Sequence, residues 1–277
     1  MKRILPKHPA IDISISCRDG EGVGNECLDV RLDDDNTMTF CVGDSGCCGS
    51  ILEQFRSTMG TPVEIMDALN EVAIDNNLDK KPYAMFIGQL NLSNGRFVFC
   101  NAGHAFPKLS LSVNHKLSPE YNPFCNSQLA NCQPLGMESG TCYTERAIIL
   151  PMGATLSFIT SEISGNEDGS CLEITWKARL ESLHSWLLAQ GLVDNINELA
   201  LEEALVNILK YSSATAVSVI SLNSISFQFI DNGKAFDPTT AISQSDGVGL
   251  ELIRGIGSPV YKRQGDLNVL TLTFGEE

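Results

Sequence analysis

Three segments in the last third of the chain constrain the fold more than any other feature of the sequence. They are LALEEALVNILKYS (residues 199–212), FIDNGKAFDP (229–238) and GVGLELIRGI (247–256), in this order and within about sixty residues. Their patterns predict a helix, a strand that ends in a turn, and a glycine-rich turn that opens a second helix. Together they indicate a nucleotide pocket that is not a P-loop.

The first segment has helical periodicity. Its apolar side chains recur at i, i+3, i+4, i+7 and i+8 and predict one buried face, formed by Leu201, Ala204, Leu205, Ile208 and Leu209. Glu203 and Asn207 fall opposite this face and are four residues apart, so one lies above the other. An acid and an amide at this spacing can share a magnesium–phosphate group. The alternative interpretation is a solvated polar helix face.

The second and third segments predict a strand and a helix, each next to glycine. Residues 224–230 alternate and are rich in β-branched and aromatic types, and the predicted strand ends in Asp231, Asn232 and Gly233. An aspartate there can hydrogen-bond the edge of a base, although an ordinary surface turn has the same sequence. Gly247 and Gly249 precede the apolar residues 250–256, and free N–H groups at such a helix start bind anions. Glycines that only cap the helix are the alternative.

The first 170 residues have a different pattern. Short β-type runs such as IDISISC, FVFCNAG and TLSFIT surround one helical stretch at residues 50–75, which Gly60 and Pro62 are expected to break. This order predicts an α+β domain built on sheets. Asp44 follows an apolar strand at residues 39–43 and could bind a divalent metal, or could simply form a turn.

Charge and composition exclude several classes of protein. The formal net charge of −15 argues against nucleic acid and anionic membranes as partners, and we find no apolar run of membrane-spanning length. The N-terminus has no uninterrupted apolar segment typical of a signal peptide. The ten cysteines have no zinc-type spacing, so we expect them to be reduced in a cytoplasmic protein, with a homodimer as one oligomeric option.

The C-terminal motifs resemble those of the GHKL (histidine kinase-like) ATPases, and especially the anti-sigma-factor serine kinases, over residues 172–274. The resemblance implies that Glu203 is the catalytic base, that Asn207 holds Mg²⁺ with ATP, and that Asp231 binds the adenine amino group. It also implies a cofactor-binding role for Lys210, Gly233, Gly247, Gly249 and Leu250. The sequence departs from the family at Ala235, where a glycine is usual.

Residues 8–165 resemble the PPM-type serine phosphatases of sporulation and stress response. The motifs are GVGNECLDV, FCVGDSGCCG, FCNAGHAFP, PLGM and TLSFITSEIS. In this resemblance Glu26 and Asp44 correspond to the first two metal-binding aspartates, with Mn²⁺ or Mg²⁺ as the implied cofactor. Ser161 stands where the family has a third aspartate, and the final aspartate pair has no counterpart. We therefore expect a degenerate phosphatase domain, in which Asn101 and His104 of NAGH are structural.

These observations predict two domains, 1–168 and 169–277, joined by the linker at residues 164–170. The predicted fold is α+β, a PPM-phosphatase-like β-sandwich with helices followed by a GHKL-type α/β sandwich. The predicted function is partner-switching signalling, in which a serine kinase phosphorylates a STAS-type anti-sigma-factor antagonist with Mg·ATP. Two alternatives stay open. One is an active or bifunctional metal-dependent serine phosphatase, and the other is a non-catalytic module that binds a sigma factor or an antagonist.

Overall fold

The computed structural model describes residues 5–16, 27–43, 49–76, 82–113, 123–125, 132–160, 171–192, 195–241 and 248–275. These residues form a mixed α+β fold with three antiparallel sheets. Within the described ranges, no helix combines the length and the hydrophobicity that crossing a membrane requires.

The first sheet has five strands in the order β2-β3-β4-β5-β7. Their bounds are Cys27–Asp34 (β2), Thr37–Gly43 (β3), Met85–Asn91 (β4), Arg96–Ala102 (β5) and Glu145–Ile149 (β7). The central strands are continuous hydrophobic runs because both of their faces are covered. Two helices, α1 (Gly49–Ser57) and α2 (Pro62–Asn76), pack on the outer face, and the break between them lies where Gly60 and Pro62 predict it.

The second sheet lies against the inner face of the first and has the order β1-β9-β8-β6. Its strands are Ile11–Ser16 (β1), Lys108–Leu111 (β6), Ala154–Ile159 (β8) and Cys171–Trp176 (β9). Phe158 joins the two sheets, since its ring centroid is 5.2 Å from that of Phe40 and 5.0 Å from that of Phe86. The two layers therefore form the β-sandwich that the sequence predicts.

Strand β9 lies C-terminal to the predicted domain boundary but belongs to the sandwich. It pairs with β1 on one side and with β8 on the other. The division into residues 1–168 and 169–277 stays a prediction, and this pairing favours a boundary after Trp176.

The remaining residues form an α/β layer. A four-stranded sheet in the order β10-β11-β13-β12 carries three helices on one face. The strands are Val217–Asn223 (β10), Ser226–Asp231 (β11), Ser258–Gln264 (β12) and Leu267–Thr273 (β13). The helices are Leu180–Ala189 (α3), Asn195–Tyr211 (α4) and Gly249–Ile256 (α5).

The junction between the sandwich and the α/β layer is closely packed. Met152 and Val219 exchange two backbone hydrogen bonds, of 3.0 and 2.9 Å. The indole N–H of Trp186, on α3, donates to the carbonyl of Leu150 at 2.9 Å. Buried residues of both halves belong to one hydrophobic core, so this junction is packed as an interior.

Candidate functional site

A cavity of about 320 Å³ opens at the end of α4, between that helix and the sheet. Its lining comes from α4, from β11 and the loop after it, from α5, and from strands β12 and β13. The lining residues are Ala204, Asn207, Ile208, Tyr211, Ser212, Asp231, Lys234, Ala235, Phe236, Pro238, Ile253, Tyr261, Asn268 and Leu270. The mixture of apolar walls and a few polar groups is typical of a small-molecule site.

Helix α4 presents a polar side chain to this cavity. Leu201, Ala204, Leu205 and Ile208 are buried as the periodicity predicts, whereas Leu209 is exposed because it lies at the edge of the apolar stripe. Asn207 lines the cavity, and its Nδ2 is buried without a hydrogen-bond partner among the described residues. Such an unpaired donor costs free energy unless a ligand satisfies it.

Glu203 does not line the cavity. Its carboxylate lies against the backbone of Gly249, so closely that a side chain at Gly249 would collide with it. The same position on Gly249 is 3.8 Å from Nδ2 of Asn207. The structure thus brings Glu203, Asn207 and Gly249 together, but it places the predicted catalytic base outside the cavity lining.

Asp231 ends β11 and is buried, with 3 % of its surface exposed. Its Oδ1 accepts hydrogen bonds from the backbone N–H of Gly233, at 2.8 Å, and from Nδ2 of Asn268, at 3.0 Å. Oδ2 accepts none from the described residues, so it can accept one from a ligand. Gly233 is needed because a side chain there would collide with Ser212, which follows α4 and lines the cavity.

Other predicted site residues lie further away. Lys210 is exposed and does not line the cavity, whereas Lys234, which the sequence did not single out, does. Leu250 packs against the main core rather than the cavity, and Gly247 lies outside the described residues. The predicted anion site at the start of α5 therefore stays a prediction.

Asn268 and Arg263 are further residues that sequence reasoning missed. Asn268 is opposite Asp231 on the paired strand β13, and Arg263 is opposite Asn268 on β12. An asparagine in the alternating run LNVLTLT is the only signal, since a polar residue there interrupts the apolar pattern of a central strand.

The predicted metal site of the first half lies outside the described residues. Glu26, Asp44 and Ser161 are all in undescribed ranges. Within the described part of the chain, no group of three or more His, Cys, Asp or Glu side chains could hold a metal ion. Asp29, on β2, is a carboxylate that could compensate for a lost ligand, but it forms an ion pair with Arg56 and accepts a hydrogen bond from Val30 N–H.

The NAGH segment is part of the sandwich. Nδ2 of Asn101 donates to the carbonyl of His104 at 2.8 Å, and His104 N–H donates to Oδ1 of Asn101 at 2.9 Å. The ring of His104 is buried and its Nδ1 is 2.7 Å from the carbonyl of Ala105. These contacts close a turn after β5 and agree with a structural role.

Comparison with known proteins gives a family and several distant structural neighbours. A sequence profile described as stage II sporulation protein E (SpoIIE) matches residues 45–204. No curated protein matches the chain.

Solved structures similar to this chain include the RsbU and RsbW domains of a Mycobacterium tuberculosis protein. The alignment with that structure has 19 % sequence identity and a TM-score of 0.46. It covers 98 % of this chain and 96 % of the other chain. The PP2C phosphatase domain of SpoIIE from Bacillus subtilis is 8 % identical, with a TM-score of 0.46. The alignment covers 61 % of this chain and 63 % of the other chain. RsbX in complex with magnesium is 13 % identical, covers 62 % and 97 %, and has a TM-score of 0.44.

The prediction of a protein serine kinase is wrong. The profile that matches is that of SpoIIE, and it extends through residue 204, so it includes Glu203, the predicted catalytic base. The position of Glu203 against Gly249, outside the cavity lining, agrees with this correction. Because the match spans residues 45–204 of 277, more than half of the sequence, the chain belongs to the stage II sporulation protein E (SpoIIE) family.

Proposed function

We propose that the protein is a partner-switching regulator whose first half removes phosphate from a serine of a STAS-type anti-sigma-factor antagonist. The observation that carries this proposal is membership of the SpoIIE family together with a two-sheet sandwich. In that sandwich β3 runs to Gly43, the residue before Asp44. A strand end in a buried sheet can hold a carboxylate rigidly, as a metal-dependent hydrolytic site requires.

The donor set at this site suits a hard divalent cation. Glu26 and Asp44 offer carboxylate oxygens, which Mg²⁺ and Mn²⁺ prefer, and these two residues would hold the metal. A bound metal supplies positive charge at the phosphate and lowers the pKa of its bound water. Ser161 offers only a neutral hydroxyl in place of a carboxylate, so we expect weak metal binding and slow turnover.

The test is dephosphorylation of a phosphoserine STAS protein by the full chain over a range of Mn²⁺ concentrations. We expect slow, Mn²⁺-dependent release of phosphate that Asp44→Ala abolishes and Ser161→Asp accelerates. An equal rate in the parent and Asp44→Ala would contradict the proposal. Binding of the phosphoprotein without hydrolysis, in the parent and in Ser161→Asp alike, would leave the non-catalytic binding module instead.

A second proposed function is favoured by the cavity at the end of α4. We propose that it binds an adenine nucleotide as a regulatory ligand, with no phosphate transfer to a protein. Asp231 leaves one carboxylate oxygen for a base amino group, and Asn207 presents an unpaired amide N–H for a phosphate oxygen. Lys234 lines the cavity and supplies positive charge in a chain of net charge −15.

We place the boundary between the two proposed functional halves after Trp176, where strand β9 ends.

Calorimetry with Mg·ATP tests this second function. We expect saturable binding at one site, weakened by Asn207→Ala, since the amide donor to the phosphate is lost. Glu202→Ala, an exposed change on the same helix, serves as the matched control and should leave the affinity unchanged. Absence of any heat of binding in the parent would exclude a nucleotide ligand.

A further inference from the structure

The carboxylate of Asp231 is held by a side chain from the neighbouring strand. Asn268 is buried, with 4 % of its surface exposed, and lies directly opposite Asp231 in the pairing of β11 with β13. Its Nδ2 donates to Oδ1 of Asp231 at 3.0 Å and to the carbonyl of Lys234 at 2.9 Å. One amide thus ties the end of β11 to the loop that lines the cavity.

The orientation of this amide is determined by its other partners. Oδ1 of Asn268 accepts hydrogen bonds from Nη1 of Arg263, at 2.7 Å, and from the hydroxyl of Tyr261, at 2.8 Å. A guanidinium can only donate, so the oxygen of the amide must face Arg263. The amide nitrogen must then face its two acceptors, Oδ1 of Asp231 and the carbonyl of Lys234.

The consequence is an asymmetric carboxylate. Oδ1 of Asp231 receives two protein donors, whereas Oδ2 receives none from the described residues, and Asp231 lines the cavity. An ionised carboxylate accepts hydrogen bonds and donates none. A ligand that bonds Oδ2 must therefore present an N–H or O–H group, and a carbonyl at the same place would be repelled.

We propose that Asn268, held by Arg263, is the positioning residue that makes this cavity select a base with an exocyclic amino group over one with a carbonyl. The inference rests on the proposed nucleotide function and adds the source of its selectivity. Arg263 also donates to the carbonyl of Gly233 at 3.0 Å, so the edge strand β12 fixes both the amide and the turn after Asp231.

The experiment compares two nucleotides that differ at the Watson–Crick edge of the base. ADP has an amino group at C6 and an unprotonated N1, whereas IDP has a carbonyl at C6 and an N1–H. Each displaces a fluorescent N-methylanthraniloyl-ADP probe from the full chain. We expect the parent to bind ADP about 10-fold or more tightly than IDP, as for a hydrogen bond to a charged group. Asn268→Leu keeps the volume but removes the donor, so we expect ADP affinity to fall about 10-fold and the ADP/IDP ratio to approach one.

Two further variants separate positioning from stability. Asn268→Asp keeps an acceptor for Arg263 but points a second acceptor at Asp231, and should also lose the preference for ADP. Gln228→Leu removes an amide from the same strand pair. The amide donates to the Thr271 hydroxyl at 3.3 Å, and neither residue lines the cavity, so this variant should keep the ADP/IDP ratio. The ratio is the informative quantity, because loss of fold would weaken both nucleotides alike.

The outcomes distinguish the inference from the function on which it rests. If the parent prefers ADP and both Asn268 variants keep that preference, the positioning role is refuted and the nucleotide site stands. If the parent binds neither ADP nor IDP, the nucleotide function fails, and the inference fails with it. A lost preference in both Asn268 variants, with the preference kept in Gln228→Leu, supports the inference.

Discussion

The junction between the sandwich and the α/β layer depends on Gly153, and replacing this residue with alanine tests that dependence. Gly153 has φ of +74°, and a Cβ there would collide with the carbonyl of Val217. Its own carbonyl accepts a 2.7 Å hydrogen bond from Ser112 N–H. The residue before it, Met152, forms the reciprocal pair with Val219 across the junction.

The expected destabilisation follows from these contacts. A left-handed conformation costs a residue with a side chain about 1–2 kcal/mol. Moving Val217 away to relieve the collision would weaken the two Met152–Val219 hydrogen bonds, each with a net value of about 0.5–1.5 kcal/mol. We therefore expect Gly153→Ala to lower the free energy of unfolding by about 2–5 kcal/mol.

Gly140→Ala is the matched control. Gly140 has the same φ of +74°, but nothing lies within 4 Å of an added Cβ. Its replacement should cost only the backbone term, about 1–2 kcal/mol. The difference between the two alanine variants isolates the junction.

The assay is urea unfolding followed by tryptophan fluorescence in two single-tryptophan versions of the chain. Trp176 reports the sandwich and Trp186 reports α3, and the chain has two tryptophans in all. We expect coincident transitions in the parent and, in Gly153→Ala, an earlier transition for Trp186. Equal losses of stability in both alanine variants, with coincident transitions throughout, would refute the reasoning about the junction.

Three other predictions follow from described side chains. Asp231→Asn should lower ATP affinity in calorimetry by about 10- to 100-fold with an unchanged melting temperature, because an amide can keep both protein donors on its oxygen; unchanged affinity would contradict the site. Burial and, to a lesser extent, neighbouring acids raise the pKa of Asp67, so the free energy of unfolding should fall as pH rises through its titration. Asp67→Asn should therefore have a higher melting temperature than the parent at pH 7 but not at pH 3. A difference in melting temperature that does not depend on pH would contradict this. Burial raises the pKa of Cys100 to about 12, whereas Cys142 is exposed, so peptide mapping after iodoacetamide at pH 8 should find Cys142 modified and Cys100 intact; equal labelling would contradict the buried position.

Local sequence patterns predicted the helices and strands well where one face is buried. The apolar spacing of Leu201, Ala204, Leu205 and Ile208 is that of the buried face of α4, and the break at Gly60 separates α1 from α2. Both signals depend on neighbours a few residues apart, which a sequence displays directly.

Long-range pairing was not predictable from the same signals. The run CLEITW alternates as a strand should, but alternation does not say which sheet a strand joins, so the pairing of β9 with β1 could not be predicted. Asn268 was missed for a related reason. Its role depends on lying opposite Asp231, 37 residues earlier in the chain, and only the register of β11 with β13 sets that contact.

The kinase error has a physical lesson of its own. Glu203 and Asn207 lie four residues apart on α4, and this spacing predicts that both can reach one magnesium–phosphate group. Both side chains lie near Gly249, but Asn207 lines the cavity and Glu203 does not. Periodicity places side chains on a helix face, but the packing of α5 decides which of them a ligand can reach.

The pairing of β1 with β9 has a consequence for the synthesis of the protein. Ile11 is paired with Trp176, so the second sheet cannot close until residue 176 has emerged from the ribosome. Until then β1, which carries Ile11, Ile13 and Ile15, lacks the strand that pairs with its edge in the folded protein. A nascent chain in this condition exposes an unpaired edge, which is the feature that chaperones protect and that leads to aggregation. We expect ribosome-bound chains to become protease-resistant only after β9 is released, although the five strands of the first sheet precede it.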